Sequence, residues 1–316
     1  MDSVESSYAH CRQLTRRTAS NFYYSFLVLP RGKRRAMCAL YAFARMTDDL
    51  GDNALPVAER REALAGWRNS LEQALAGEFD APIFPALADT VARYRLPPEH
   101  LRSVIDGVEM DLAHQGFETF DELSEYCCKV ASAVGLCCIH IWGFTGPEAL
   151  EPARKCGIAF QLTNILRDLK EDAALGRIYL PREDLRRFGY SADDLRHGQG
   201  GERFQQLMRF EIERAERLYQ DAAQLPRWLG PDGKTIFGAM SGIYRGLLDE
   251  IKRLDGDVFS HRARLSAWRK LRIAGRWLLV RPLSPLAESA AGAQSPGAQS
   301  PGAQSPGAQS PGAQRR

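Results

Sequence analysis

No stretch of this chain approaches the roughly 18 uninterrupted apolar residues that a membrane-crossing helix requires, so no spanning segment is expected. The N-terminus is polar and has no apolar region behind a basic start, which argues against a secretory leader. None of the cysteines Cys11, Cys38, Cys127, Cys128, Cys137, Cys138 and Cys156 stands at Cys-x-x-Cys spacing. Their count is odd, so reduced, packed thiols in a cytoplasmic protein are expected instead of disulfides or a zinc site. Strict apolar–polar alternation is nearly absent, which leaves little room for β-sheet. No Gly-x-Gly-x-x-Gly follows a strand pattern, so no Rossmann-type dinucleotide site is indicated. The formal net charge of +3 is too small to argue for nucleic acid.

What is present is helical. The 316 residues, 44% hydrophobic and 26% charged, suffice for a sizeable core around a deep pocket. Segments Arg34–Leu50, Arg60–Leu75, Glu99–His114, Phe120–Trp142 and Phe204–Ala223 carry apolar residues at three- and four-residue spacing. Turns fall between them at Pro30, Pro97-Pro98, Gly146-Pro147 and Gly230-Pro231. Thr119 or Asp121 is placed to cap one helix and Ser191 another. From Gly292 a Gly-Ala-Gln-Ser-Pro unit repeats to Gln314 with nothing to bury. The expectation is a single all-α bundle over residues 1–281 with a central cavity, followed by a disordered tail over 282–316.

Two acidic clusters stand out. In Arg45-Met46-Thr47-Asp48-Asp49-Leu50-Gly51-Asp52, a helix stacks Asp48 and Asp52 on one face. Asn164, Asp168 and Asp172 also step by four, with Gln161 on the same side. Ile158, Phe160, Leu162, Ile165 and Leu166 surround this second stripe, so it should face a hydrocarbon-lined pocket. Like charges at this spacing weaken a helix unless a cation lies between them. Mg²⁺ prefers oxygen ligands and retains waters and substrate phosphates. Facing carboxylate pairs therefore point to Mg²⁺ ions holding a diphosphate leaving group. Arg45, Arg167 and Arg177 stand close enough in the chain to add charged hydrogen bonds to phosphate.

These clusters and their surroundings resemble the squalene/phytoene synthase family. Ser20-Asn21-Phe22-Tyr23-Tyr24-Ser25-Phe26 is similar to its N-terminal serine–aromatic segment, and Leu40-Tyr41-Ala42-Phe43-Ala44-Arg45 leads into the first acidic motif as in that family. Tyr126-Cys127-Cys128-Lys129-Val130-Ala131-Ser132-Ala133-Val134-Gly135 resembles its tyrosine signature, and Gly176-Arg177-Ile178-Tyr179-Leu180-Pro181 follows the second motif. The resemblance implies an isoprenoid-synthase bundle that joins two prenyl diphosphates head to head through a cyclopropylcarbinyl diphosphate. It implies Asp48, Asp52, Asn164, Asp168 and Asp172 as metal ligands and Tyr126 as the catalytic tyrosine. Gln161 would face the reacting chains, Phe22 and Phe26 would lie near the pocket, and Arg45, Arg167 and Arg177 would grip phosphate.

The segments Asp106–Asp111 and Val130–Gly135 favour two farnesyl diphosphates giving presqualene diphosphate or squalene, with two geranylgeranyl diphosphates giving phytoene as the alternative. NADPH use stays open, with no motif in its favour. Ser132 stands where the family usually has glycine and is expected to trim the cavity; Gly51 is expected to loosen the helix beside the metal pair. A class I terpene cyclase would carry a similar second motif, but with Ser or Thr in place of Asp168. A non-catalytic membrane-surface protein is the other alternative. In Arg264–Val280, Trp268, Leu271, Ile273, Trp277, Leu278 and Leu279 mix with five cationic residues. That segment is expected either to touch the inner face of a membrane peripherally or to pack on the core.

Overall fold

The computed structural model describes residues 2–18, 25–113 and 115–279. Phe22, most of the serine–aromatic segment and the repeat tail lie outside the described residues. Among those described, every regular element is helical, and one isolated bridge joins Phe144 to Leu229. The chain has the all-α, isoprenoid-synthase-type fold expected.

The helices run α1 Asp2–Thr18, α2 Arg31–Asp52, α3 Val57–Leu75, α4 Phe84–Tyr94, α5 Pro98–Leu112, α6 Phe120–Cys127 and α7 Ala133–Trp142. They continue with α8 Leu150–Ala174, α9 Arg182–Arg187, α10 Ala192–Arg196, α11 Glu202–Ala222, α12 Pro231–Arg253 and α13 Ala267–Leu279. Four of the segments read from periodicity fall within two or three residues of observed helices. The fifth, Phe120–Trp142, is α6 and α7 joined by a wide π-helical turn at Cys128–Ser132. Such turns accommodate an extra residue and often mark functional positions. Thr119 caps α6 by accepting from the Glu122 amide at 3.3 Å, and Ser191 forms a reciprocal capping box with Asp194.

Two apolar clusters form the core. One gathers α1–α5 and α7 around Leu40, Phe43, Trp67 and Phe84; the other gathers α6, α8, α11 and α12 around Leu162, Leu166, Leu207 and Ile251. Trp67 stacks on Phe43 with centroids 5.9 Å apart, and its Nε1 donates to Thr47 Oγ1 at 2.9 Å. Each such buried side chain stabilises the fold by about 1.5–3 kcal/mol. Phe160 packs against both clusters, and the central cavity opens beside it.

Two expectations are corrected by packing. Gly51 does not loosen α2: it lies within the helix, and a Cβ there would collide with Val108, so the glycine lets α2 and α5 approach closely. Ser132 does not trim the cavity. Its hydroxyl donates to the Arg154 carbonyl at 2.6 Å, and its backbone lies so close to Gly157 that a Cβ on that glycine would strike it.

Candidate active site

The last turns of α2 carry Asp48 and Asp52, and the second half of α8 carries Gln161, Asn164, Asp168 and Asp172. Between them lies a cavity of about 300 Å³. Asp48 lines one side, Gln161 and Asn164 the other, and Phe26, Val134, Cys138, Trp142 and Phe237 supply apolar wall. At the polar end Arg177 donates to Asp52 Oδ1 at 3.2 Å, while its backbone amide donates to the Asp172 carbonyl at 2.8 Å. Arg177 thus links Asp52 to the end of the helix that carries Asp172, and Asp48 and Asn164 line one cavity, while Asp52, Asp168 and Asp172 are not among its lining residues.

Their electrostatics are unequal. Asp48 is open to the cavity yet surrounded by protein, and its pKa is pushed up to about 7 by loss of bulk solvation and by the charge of Asp52, against the opposing pull of Arg45. Asp172 is likewise raised to about 7, by burial and then by Asp168. Asp111 adds to the repulsion felt by both. Asp168 behaves differently. Burial would raise it, but hydrogen bonds and charge from Arg167 and Arg262 hold it below the ordinary carboxylate value. Arg262 donates to its Oδ1 at 2.8 Å, and Arg167 forks onto both oxygens.

The expected arginines divide. Arg177 bridges toward the acidic site, Arg167 grips Asp168, and Arg45 turns outward to pair with Asp49 at 2.5 Å. Tyr126 is buried behind the cavity wall and does not line it. Its hydroxyl donates to Asp111 Oδ2 at 2.9 Å, and the Tyr179 hydroxyl donates to Oδ1 of the same carboxylate at 2.9 Å. The two rings stack at 5.5 Å, with Phe117 5.3 Å from Tyr126. Burial and the Asp111 charge raise both phenols well above their ordinary range, so both stay protonated.

Sequence reasoning missed Asp111 and Tyr179 as site residues. Both stood inside segments already singled out, Asp106–Asp111 and Gly176–Pro181, but nothing in their spacing joins α5 to the loop after α8. It also missed a second cavity of about 340 Å³, lined by Arg167, Arg262, Arg264 and Lys270. Met240 and Tyr244 line both cavities, and Tyr244 stacks on Phe160 at 4.1 Å. A hydrocarbon-lined space thus adjoins a cationic one. Among the described residues, no three His, Cys, Asp or Glu side chains converge as a ready-made cation site.

The squalene/phytoene synthase family profile matches residues 15–269. The chain belongs to this family. It is 40% identical over 278 residues to a phytoene synthase of Arthrospira platensis, spanning 84% of this chain and 90% of that one. A 15-cis-phytoene synthase of Synechocystis sp. is also 40% identical, over 281 residues, spanning 85% of this chain and 83% of the relative. Among solved structures, a dehydrosqualene synthase in complex with a ligand superposes with a TM-score of 0.79 at 28% identity, covering 87% of this chain and 96% of that one. A squalene synthase of Alicyclobacillus acidocaldarius gives a TM-score of 0.77 at 30% identity, covering 81% and 96%. Squalene/phytoene synthases are prenyl-transferring enzymes that condense prenyl diphosphates head to head. Membership favours head-to-head condensation over the terpene-cyclase and non-catalytic alternatives. No helix among the described residues is long and apolar enough to cross a membrane.

Proposed function

We propose that this chain couples two geranylgeranyl diphosphates head to head to give phytoene. The observation that carries the reading is an apolar cavity lined by Asp48 of the first acidic motif and by Gln161 and Asn164 of the second, with Arg177 reaching from beyond the second motif to Asp52 of the first. The longer substrate is supported by the names of the relatives that match at about 40% identity. Coupling of two farnesyl diphosphates to presqualene diphosphate or squalene is the second reading. The squalene-type names of the structural neighbours favour it, at the lower identities of 28% and 30%.

Divalent metal fits the residues present. Asp48 and Asp172 are held near 7 by burial and by neighbouring carboxylates, a repulsion that a hard dication relieves. Asp48, Asp52, Asn164, Asp168 and Asp172 would hold Mg²⁺, with phosphate and water completing its shell. When bound, Mg²⁺ would supply the positive charge that neutralises a diphosphate leaving group.

The chain's own residues do the rest. Arg177, already at the acidic mouth, donates charged hydrogen bonds to the leaving group. Arg167, Arg262 and Lys270 supply cations for the diphosphate of the second substrate in the adjoining cavity. Gln161 and Phe26 face the hydrocarbon, where the ring face steadies allylic cation character and the apolar wall excludes water. Tyr126 takes up the proton lost on ring closure, passing its own to Asp111. Because its hydroxyl lies behind the lining, this role requires the wall to open when substrate fills the cavity. Peripheral contact of Arg264–Val280 with a membrane belongs to the same reading, since the product is an insoluble hydrocarbon.

Purified protein given each prenyl diphosphate with Mg²⁺, with and without NADPH, and analysed by mass spectrometry tests the proposal. A 40-carbon hydrocarbon from geranylgeranyl diphosphate is expected. Preferred turnover of farnesyl diphosphate selects the second reading, and a product built from one substrate molecule rejects both.

A further inference from the structure

We propose that α13 is a docking helix for an anionic lipid bilayer and that it seats the basic cavity at the lipid surface. What passes through that cavity rests on the prenyl diphosphate reading; the docking itself does not.

The helix has two distinct faces. On the inner side, Trp277 and Ile273 rest on α12, where a Cβ at Gly238 would strike the indole and one at Gly242 would come within 2.8 Å of Ile273 Cγ2. Arg269 donates to Glu250 of α12 at 3.2 Å, and Lys270 lines the basic cavity. These contacts fix the orientation of α13 and make it part of the cavity wall.

The outer side is bare. Trp268 is 83% exposed and Leu271 54% exposed. Arg272 and Arg276 are exposed beside them. Positions 268, 271, 272 and 276 recur at three- and four-residue steps, so they share one helix face. Ala267–Leu279 contains no Asp or Glu. An indole and a leucine beside two guanidinium groups match the two layers of an anionic bilayer surface: the apolar groups enter the headgroup–acyl boundary while the cations meet lipid phosphate. A second copy of this chain fits less well. A two-fold contact through this face would set Arg272 and Arg276 against their own equivalents.

Docked this way, α13 lies between the bilayer and the basic cavity, which shares Met240 and Tyr244 with the hydrocarbon cavity. The wall touching the lipid is then the wall next to the substrate's charged end.

The full chain is tested by co-sedimentation with phosphatidylcholine vesicles and with vesicles of equal phosphatidylcholine and phosphatidylglycerol. Binding to the mixed vesicles alone, weakened by salt, is expected. The double variants Trp268→Ala/Leu271→Ala and Arg272→Gln/Arg276→Gln should each lower partitioning, the latter by roughly fivefold per removed charge. Both should turn over detergent-solubilised substrate like the parent while losing rate on vesicle-held substrate. Equal binding to both vesicle types, or variants that bind like the parent, overturns the proposal. So does a parent that ignores vesicles but self-associates through these residues. A parent that binds vesicles yet leaves prenyl diphosphates untouched sinks only the enzymatic reading.

Discussion

Arg177, just beyond α8, donates to Asp52 on α2 at 3.2 Å across 125 positions of sequence. With its own amide on the Asp172 carbonyl, this one residue ties the ends of both acidic helices together. It also neutralises only part of the charge there: Asp48 and Asp172 both remain raised to about 7. The site is built to be relieved by further positive charge.

That strain should be visible without any substrate. A carboxylate whose folded pKa lies above its unfolded value stabilises the fold below the unfolded pKa and loses that contribution as pH rises through the folded one. For Asp48 and Asp172 the window runs from the ordinary 3.8 up to about 7. Metal-free protein should therefore lose thermal stability across this window. Asp172→Asn should flatten the loss, and Mg²⁺ should raise Tm more above pH 7 than below pH 4. The same variant should lower kcat by about 10³-fold or more while leaving the far-ultraviolet circular dichroism intact. Parent-like turnover would remove Asp172 from the metal site.

The Asp111 carboxylate accepts from Tyr126 and Tyr179 at once, so the two phenols are oriented by one group. Tyr126→Phe should reduce kcat by about 10²–10⁴-fold with little change in KM. Asp111→Asn should follow it in direction, because an amide offers one acceptor oxygen to two hydroxyl donors. Steady-state kinetics decide this, and a Tyr126→Phe enzyme with unchanged kcat would leave the tyrosine a purely structural role.

The acidic stripes were legible because carboxylates four apart must share a helix face, whatever the tertiary fold. The Asp111–Tyr126–Tyr179 group was not, because its members come from α5, α6 and the loop after α8 and meet only through packing. Gly51 and Ser132 were misread for the same reason: each is decided by a partner, Val108 or Gly157, that no local spacing reveals. Arg45 shows the reverse case, with the simple i,i+4 ion pair to Asp49 winning over a longer reach to the cavity. Substrate length stayed open because the cavity wall is shared among α2, α5, α7, α8 and α12.

Arg214 lies between two buried carboxylates, donating to Glu211 Oε1 and Oε2 at 2.8 Å and to Asp184 Oδ2 at 2.7 Å. It also covers the Phe120 ring at 4.1 Å, so it links α11 to α9 and α6. One guanidinium faces two acids. Glu211 is accordingly pushed up to about 8, chiefly by burial and against the pull of Arg214, with Asp184 adding repulsion. Its stabilising contribution is complete below the ordinary 4.5 and fades as pH rises through about 8. Glu211→Gln should flatten urea-unfolding stability across that range. Arg214→Ala should cost about 3–5 kcal/mol, since it leaves both acids without their cation. A loss below 1 kcal/mol would show that water replaces the guanidinium.

Arg262 touches both halves of the proposed chemistry. It donates to Asp168 Oδ1 at 2.8 Å and pairs with Glu171 at 3.2 Å, yet it also lines the basic cavity. Before substrate arrives, Arg262 and Arg167 occupy the carboxylate of Asp168, which keeps that acid ionised, and its charge in turn helps to raise Asp172. A diphosphate entering the basic cavity competes for the same guanidinium donors. Drawing Arg262 onto phosphate would free Asp168 to turn toward metal, so filling one subsite would prepare the other. Arg262→Ala should therefore raise KM for the prenyl diphosphate about tenfold, the worth of a charged hydrogen bond. It should also tighten Mg²⁺ binding in the absence of substrate, because Asp168 then has one fewer competitor. Calorimetric titration with Mg²⁺ measures the second effect independently of turnover. Weaker KM with unchanged metal affinity would confine Arg262 to phosphate binding; unchanged values of both would remove it from the site.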